Sequence, residues 1–153
     1  MRVDLLGHVR DLEQRAQRAR FQNILTFPWN GLQVPVFPQA VERRGGFDCV
    51  LIDAPCTGAG TWRRNPDAKF RLEAKELQRL IDIQDQLLRI TAPTVRAGGY
   101  LAYATCSWLP AENEERMITF LKTHQNFRLV SQRLLGCPTA DADTMFVALL
   151  QKS

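Results

Sequence analysis

The chain has 153 residues, 45% of them hydrophobic, so it is long enough to bury one core, and we expect a single domain over residues 1–153. Its formal net charge of +4 permits an RNA partner but is just as typical of an ordinary, slightly basic protein. No apolar run reaches the roughly 20 residues of a membrane span, and the four cysteines form no C-x-x-C pair. We therefore expect no membrane anchor, no metal site and no disulfide framework, and we predict reduced thiols and a cytoplasmic location.

Hydrophobic spacing and turn residues predict helices that alternate with strands along the chain. The first half contains a helix over 9–20, a short strand over 23–27 ended by Pro28, a loop over 28–46 with a short helix near 39–44, and a buried central parallel strand over 47–52. After an irregular loop over 54–70, the second half contains a helix over 73–92, a Gly98-Gly99 turn and a strand over 100–104. A helix over 110–122 and an antiparallel edge pair, 127–131 with 145–150, complete the chain. The helix over 73–92 is expected to bury a stripe formed by Leu77, Leu80, Ile81, Leu87 and Leu88, with Gln84 as a further candidate.

This alternation predicts an α/β fold, a Rossmann-like doubly wound sheet that is mainly parallel and has an antiparallel C-terminal edge hairpin. Such folds normally open with a strand and a glycine-rich turn that cradles the ligand. No such turn precedes the first predicted helix. We therefore expect the C-terminal half to two-thirds of a nucleotide-cofactor domain, with the first strand and the glycine-rich loop absent.

Two cysteine motifs directly follow two of the predicted strands, Asp53-Ala54-Pro55-Cys56 and Thr105-Cys106-Ser107. Loops at the carboxyl ends of strands line the ligand crevice of an open α/β sheet, so two thiols and a carboxylate should meet in one cleft. A cysteine thiolate is a strong nucleophile. Its addition to carbon 6 of cytosine would make carbon 5 reactive enough to accept a methyl group from a methylsulfonium. The motifs therefore favour chemistry on an electron-poor ring.

The chain resembles the RNA (cytosine-5) methyltransferases that use S-adenosylmethionine, specifically the bacterial small-subunit ribosomal RNA type. The matching stretches are residues 53–67 and 98–107, with weaker support from 112–114 and 143–146. The resemblance runs from about residue 4 to the end of the chain. It implies the catalytic part of a methyltransferase sheet, with ribosomal RNA as the substrate and transfer RNA as the second choice.

The resemblance also implies a role for each matching residue. Cys106 is expected to attack carbon 6, Cys56 to resolve the covalent RNA adduct, and Asp53 to stand where the cofactor meets the target base. Asp4 is expected to bind the cofactor ribose, and Asn30 stands where the family usually has an aspartate near the adenine. The family's glycine-rich cofactor loop and RNA-binding region lie upstream of Asp4, so we expect weakened cofactor binding by this chain alone.

A basic cluster of Arg63, Arg64 and Lys69 lies beside the first cysteine motif. We predict that it contacts RNA phosphates, with a solvated charged loop as the alternative. The target cytosine must be unpaired or flipped out, because stacking covers carbon 6 in a helix.

Two other functions stay open: a non-catalytic RNA-binding remnant of the fold, and a thiol enzyme unrelated to methyl transfer. We also expect self-association through an exposed apolar sheet edge.

Overall fold

The computed structural model describes residues 5–34, 37, 39–137, 139 and 141–153. The chain divides into two compact units, Met1–Pro35 and Val36–Ser153. Both cysteine motifs and all of the strands formed by the described residues belong to the second unit.

In the first unit, helix α1 spans Leu5–Arg18, so the predicted helix is confirmed with both ends earlier than expected. It ends where Arg20 takes a positive φ of 58°. The predicted strand over 23–27 is wrong, because residues 21–34 form neither helix nor strand. A strand forms only where its backbone N–H and C=O groups pair with a neighbouring strand. This segment contacts helix α1 instead, through a side-chain hydrogen bond from the Thr26 hydroxyl to the Glu13 carboxylate at 2.6 Å. Apolar residues before a proline were therefore a poor strand signal.

The described residues of the second unit form a four-stranded sheet with helices between the strands. The strands are β1 (Phe47–Asp53), β2 (Val95–Thr105), β3 (Phe127–Leu135) and β4 (Met145–Lys152). The helices are α2 (Gln39–Glu42), α3 (Asp67–Arg71), α4 (Ala74–Thr91) and α5 (Glu114–Thr123). Short 3-10 turns span Ala59–Thr61, Ala92–Thr94 and Pro110–Glu112. The loop expected over 54–70 thus contains one such turn and the start of α3.

The strand order is β1-β2-β4-β3, with β1 parallel to β2 and the other two pairings antiparallel. The predicted α/β fold and its antiparallel C-terminal hairpin are confirmed. Strand β1, however, pairs only with β2 among the described strands, so it is an edge strand of this sheet rather than the central strand we expected. Its Leu51 side chain is accordingly 68% exposed.

Strand β2 is longer than predicted, because it starts at Val95 and continues through the glycine pair. Gly98 has a φ of +74°, and a side chain on Gly99 would come within 3.0 Å of the Phe47 and Asp48 carbonyl oxygens. The β1–β2 register shifts between Phe47 and Cys49, opposite this point. The two glycines therefore form an irregularity inside the ladder rather than a turn before it.

The core lies between the sheet and the helices α4 and α5. Its fully buried members include Leu88 of α4, Met117 of α5, and Leu101, Phe146 and Leu150 of the sheet. The predicted α4 stripe is confirmed at Leu80, Gln84 and Leu88, and its other members, Leu77, Ile81 and Leu87, are half-buried. Burying a side chain such as Leu88 contributes about 1.5–3 kcal/mol. This packing fixes the carboxyl ends of β1 and β2 side by side.

Candidate active site

The two cysteine motifs leave the sheet at the same end, because their strands are parallel neighbours. Asp53 is paired in register with Ala104, and the Ala54 amide donates to the Ala104 carbonyl at 2.9 Å. Beyond that bond the loops carry Cys56 and Cys106, whose sulfur atoms are 3.2 Å apart. Both cysteines are free and half-buried. We refer to Cys56 and Cys106 as the thiol pair.

The two thiols of the thiol pair have pKa values that are shifted in opposite directions. The pKa of Cys106 is lowered to about 7, chiefly because the Cys56 thiol donates a hydrogen bond to its thiolate. Burial and the negative charges of Asp53 and Glu112 oppose this shift. The pKa of Cys56 is raised far above its usual range by the same hydrogen bond and by burial. The contact therefore favours the thiolate on Cys106 and the neutral thiol on Cys56.

Asp53 is the last residue of β1, and its side chain is exposed beside the thiol pair. It lies close enough for its charge to act on Cys106. Among the described residues, no hydrogen bond or ion pair engages the Asp53 carboxylate. An exposed carboxylate at this end of the sheet suits a ligand that presents amino or hydroxyl groups.

The loop that carries Cys56 is held on both sides by buried polar side chains. The Gln84 amide of α4 donates to the Pro55 carbonyl at 2.9 Å and to Glu112 Oε1 at 3.1 Å. Glu112 is fully buried, and it accepts the Thr57 amide at 2.9 Å on Oε1 and the Thr57 hydroxyl at 2.6 Å on Oε2. Both residues that flank Cys56 are thus restrained.

The loop that carries Cys106 is held by Asn113, the residue directly after Glu112. Asn113 is fully buried, its amide nitrogen donates to the Ser107 carbonyl at 2.9 Å, and its amide oxygen accepts the Thr105 hydroxyl at 2.6 Å. The two loops also touch where the Thr57 and Ser107 hydroxyls approach to 3.4 Å. One short turn therefore contacts both cysteine loops.

The sequence patterns revealed no role for Gln84, Glu112 or Asn113. Residues 112–114 gave only weaker support to the family resemblance, and Gln84 was only a candidate member of the buried stripe of a predicted helix. A glutamine within an apolar stripe is itself a signal, because a buried amide needs hydrogen-bond partners. Its partners lie 28 and 29 residues away, however, so the pattern did not reveal which loop it holds.

The segment after Cys56 packs tightly against the second loop and the start of β4. The Gly60 amide donates to the Cys106 carbonyl at 3.0 Å, and the Gly60 carbonyl accepts the Thr144 amide at 3.0 Å. A side chain at position 60 would overlap the Thr144 carbonyl. Next to it, Trp62 and Trp108 pack edge to face with ring centroids 5.8 Å apart. Glycine is therefore required at position 60.

Two members of the predicted basic cluster are already paired with acids. Arg63 Nη1 lies 2.5 Å from Asp141 Oδ1, and Arg64 Nε lies 2.9 Å from each carboxylate oxygen of Asp143. The Arg64 guanidinium lowers the pKa of Asp143, chiefly through this hydrogen bonding. Lys69 is exposed on α3. Contact of these three residues with RNA stays a prediction, and a phosphate would compete with carboxylates at both arginines.

The predicted cofactor residues outside this unit stay untested. Asp4 lies outside the described residues. In the first unit, the Asn30 side-chain oxygen accepts the Leu32 amide at 3.0 Å. Among the described residues, no three or more His, Cys, Asp or Glu side chains cluster as metal ligands would. No helix in the described part of the chain is long and apolar enough to cross a membrane.

Comparison with solved structures identifies the fold. The crystal structure of PH0851 superposes with a TM-score of 0.83 at 28% identity, over 94% of this chain and 34% of that one. A methyltransferase homologue from Pyrococcus horikoshii superposes with a TM-score of 0.75 at 22% identity, over 96% of this chain and 50% of that one. The fold is therefore that of part of a methyltransferase domain.

The sequence identifies the family within this class. Residues 9–151 match the model of the 16S rRNA methyltransferase RsmB/F family, and the chain belongs to this family. The probable ribosomal RNA small subunit methyltransferase B of Synechocystis is 43% identical over 81 residues, which cover 53% of this chain and 18% of that protein. The chain matches about a fifth to a quarter of the length of such curated relatives, with shares of 18%, 20% and 25%.

These findings confirm the family resemblance drawn from the motifs. Methyltransferases of the RsmB/F family use S-adenosylmethionine, so the predicted cofactor is confirmed at the level of the family. The roles of the individual site residues stay predictions.

Proposed function

We propose that this chain carries the base-handling part of an enzyme that transfers a methyl group from S-adenosylmethionine to carbon 5 of cytosine in RNA, with ribosomal RNA as the substrate. The observation that carries this proposal is the thiol pair, in which two sulfurs lie 3.2 Å apart and only Cys106 has a lowered pKa. Membership of the 16S rRNA methyltransferase RsmB/F family supports the substrate class.

In the proposed reaction, the Cys106 thiolate adds to carbon 6 of cytosine and forms a carbon–sulfur bond, while the ring electron pair shifts towards carbon 5. A bound S-adenosylmethionine would supply the methyl group: carbon 5 would bond to that carbon as the sulfur–methyl bond breaks, and the electron pair of the broken bond would stay on sulfur in the neutral thioether product, S-adenosylhomocysteine. The proton on carbon 5 is then removed by a base, its electron pair re-forms the ring double bond, and the carbon–sulfur bond breaks to return the Cys106 thiolate.

Two side chains beside Cys106 have roles in this sequence. We propose that the Cys56 thiol donates to the Cys106 thiolate across the 3.2 Å contact between the two sulfurs, which stabilises the thiolate before attack and again as it departs. We propose that the exposed Asp53 carboxylate binds the amino edge of the cytosine and holds the ring. The same carboxylate fits a cofactor amino or hydroxyl group, so we propose Asp53 at the boundary between base and cofactor. Asp4 and Asn30 stay predictions of the resemblance for cofactor binding.

Calorimetric titration of this chain with S-adenosylmethionine tests the cofactor half of the proposal. Micromolar binding, about −8 kcal/mol, would support methyl transfer by the chain itself. The absence of heat, confirmed by equilibrium dialysis, would instead favour an RNA-binding remnant. That alternative gains no support from Arg63 and Arg64, whose charges are already paired with acids.

Methyl transfer itself is tested with radiolabelled cofactor and two RNA substrates, a small-subunit ribosomal RNA transcript and a transfer RNA transcript. With a protein that binds the cofactor in the titration, we expect label only in the ribosomal transcript, and loss of that label in Cys106→Ala. Cys56→Ala should accumulate an RNA–protein adduct that survives denaturing electrophoresis. The matched control is Cys49→Ala, which removes an exposed thiol from β1. Label in the Cys106→Ala reaction would contradict the assignment of the nucleophile.

A further inference from the structure

The turn formed by Pro110–Glu112 and Asn113 is the common support of both cysteine loops. Glu112 contacts the loop after β1, and Asn113 contacts the loop after β2. These two side chains are adjacent in sequence and fully buried. The separation of the thiol pair therefore depends on a turn that contains neither cysteine.

Of these two side chains, Glu112 is the more informative. Burying a carboxylate costs free energy unless hydrogen bonds replace those it made with water. An amide, a hydroxyl and the Gln84 side chain all donate to it. Two of these donors belong to Thr57, the immediate neighbour of Cys56. The carboxylate thus restrains the Cys56 loop at both the backbone and the side chain of one residue.

The backbone of Glu112 is anchored independently of its carboxylate. The hydroxyl of the fully buried Tyr103, in β2, donates to the Glu112 carbonyl at 2.8 Å. Because Tyr103 lies in β2, three residues before Cys106, Glu112 is fixed relative to the strand that leads into the Cys106 loop. The Glu112 carboxylate then connects this anchored backbone to the Cys56 loop through its hydrogen bonds with Thr57.

We propose that Glu112 is a positioning residue for methyl transfer: its carboxylate holds the Cys56 loop so that the Cys56 thiol donates to the Cys106 thiolate. This inference rests on the proposed function, which makes Cys106 the nucleophile. In the part of the chain that the structure describes, the hydrogen bonds of the Glu112 carboxylate go to Thr57 and Gln84, and none goes to either cysteine. Its role is to keep the donor thiol in contact with the nucleophile.

This role gives Glu112 two opposite effects on Cys106. By positioning Cys56, it maintains the hydrogen bond that is the largest cause of the lowered pKa of Cys106. Through space, its negative charge raises that pKa, as does the charge of Asp53. The two effects separate when Cys56 is removed, because only the charge effect then remains.

The test measures the pH dependence of Cys106 alkylation by iodoacetamide, with the modified peptide quantified by mass spectrometry. In the wild-type background, Glu112→Gln should raise the midpoint by about one pH unit, because the Cys56 donor is lost. In the Cys56→Ala background, the same substitution should lower the midpoint, because only a negative charge is removed. Thr57→Val, which keeps the charge and removes the hydroxyl, should raise it in the wild-type background.

The matched control is Glu115→Gln, an exposed position on α5 that should leave the midpoint unchanged. A midpoint that falls or stays constant in Glu112→Gln would overturn the proposal. Near-ultraviolet circular dichroism checks that each variant is folded, and if Glu112→Gln is not, Thr57→Val decides. The assay needs no cofactor or RNA, so the two proposals can fail separately. Reversal of the sign in a chain that binds S-adenosylmethionine but transfers no methyl group to RNA would refute the proposed function and leave the effect of Glu112 on Cys106 intact.

Discussion

Removal of the Cys56 thiol provides the most direct test of how the thiol pair works. In Cys56→Ala, the Cys106 thiolate loses the hydrogen bond that is the main reason its pKa is about 7. The pKa should therefore rise towards the ordinary thiol value of about 8.5. At pH 7 the thiolate fraction of Cys106 would fall from about one half to about 3%, roughly 15-fold.

The alkylation rate at pH 7 will fall much less than this fraction. A more basic thiolate is also a better nucleophile, with a Brønsted slope of about 0.4–0.5, so a rise of roughly 1.5 units makes each thiolate about fivefold more reactive. The net loss at pH 7 is then only about threefold. The decisive quantity is the midpoint of the pH profile, which should move from about 7 to above 8.

The assay follows alkylation of the Cys106 peptide from pH 5 to pH 10, with Cys49→Ala as the control for loss of another thiol. The control should keep the wild-type midpoint, because Cys49 lies within β1 and is not one of the contacts that lower the pKa of Cys106. A Cys56→Ala profile that coincides with the wild-type profile would refute the reasoning. It would mean that Cys56 does not activate Cys106.

Four other predictions follow from the geometry. Mild oxidation with peroxide should join the thiol pair in a disulfide, seen as a linked peptide by non-reducing mass spectrometry; separate peptides only would contradict the close contact. Gly60→Ala should cost about 1–3 kcal/mol in urea unfolding, because the new methyl group overlaps the Thr144 carbonyl. Lys69→Ala should reduce the slope of log affinity for RNA against log salt by about one, and Arg64→Ala by less because a carboxylate already pairs with it. The exposed β1 edge should cause self-association, and a monomeric mass by light scattering would count against it.

Short-range sequence patterns were enough to predict helix α4 and the strands β1 and β2. Helix α4 was found because its apolar residues repeat at helical spacing, and the apolar runs of β1 and β2 were found because such runs suit strands within a sheet. The segment 23–27 had a similar apolar content, yet it forms no strand. Strand formation depends on a partner elsewhere in the chain, and five apolar residues carry no information about whether that partner exists.

The sequence predicted that Cys56 and Cys106 meet, but it did not predict the hydrogen bonds that hold their loops. Placement of Cys56 and Cys106 together followed from one rule, that adjacent parallel strands end at the same edge of the sheet. The hydrogen bonds that set their separation join residues 55 positions apart, from Thr57 to Glu112. No periodicity relates such positions, so the support of the thiol pair could be found only in three dimensions.

The side chains that support the thiol pair all lie in the same unit of the chain as the thiol pair. Gln84, Glu112 and Asn113 all belong to the unit Val36–Ser153, as does the thiol pair itself. Two of the three residues predicted to bind the cofactor, Asp4 and Asn30, belong instead to Met1–Pro35. We therefore expect the pKa of Cys106 to be independent of cofactor binding. A chain that fails to bind S-adenosylmethionine should still present a Cys106 thiolate near neutral pH, because the hydrogen bond that stabilises it is internal to one unit.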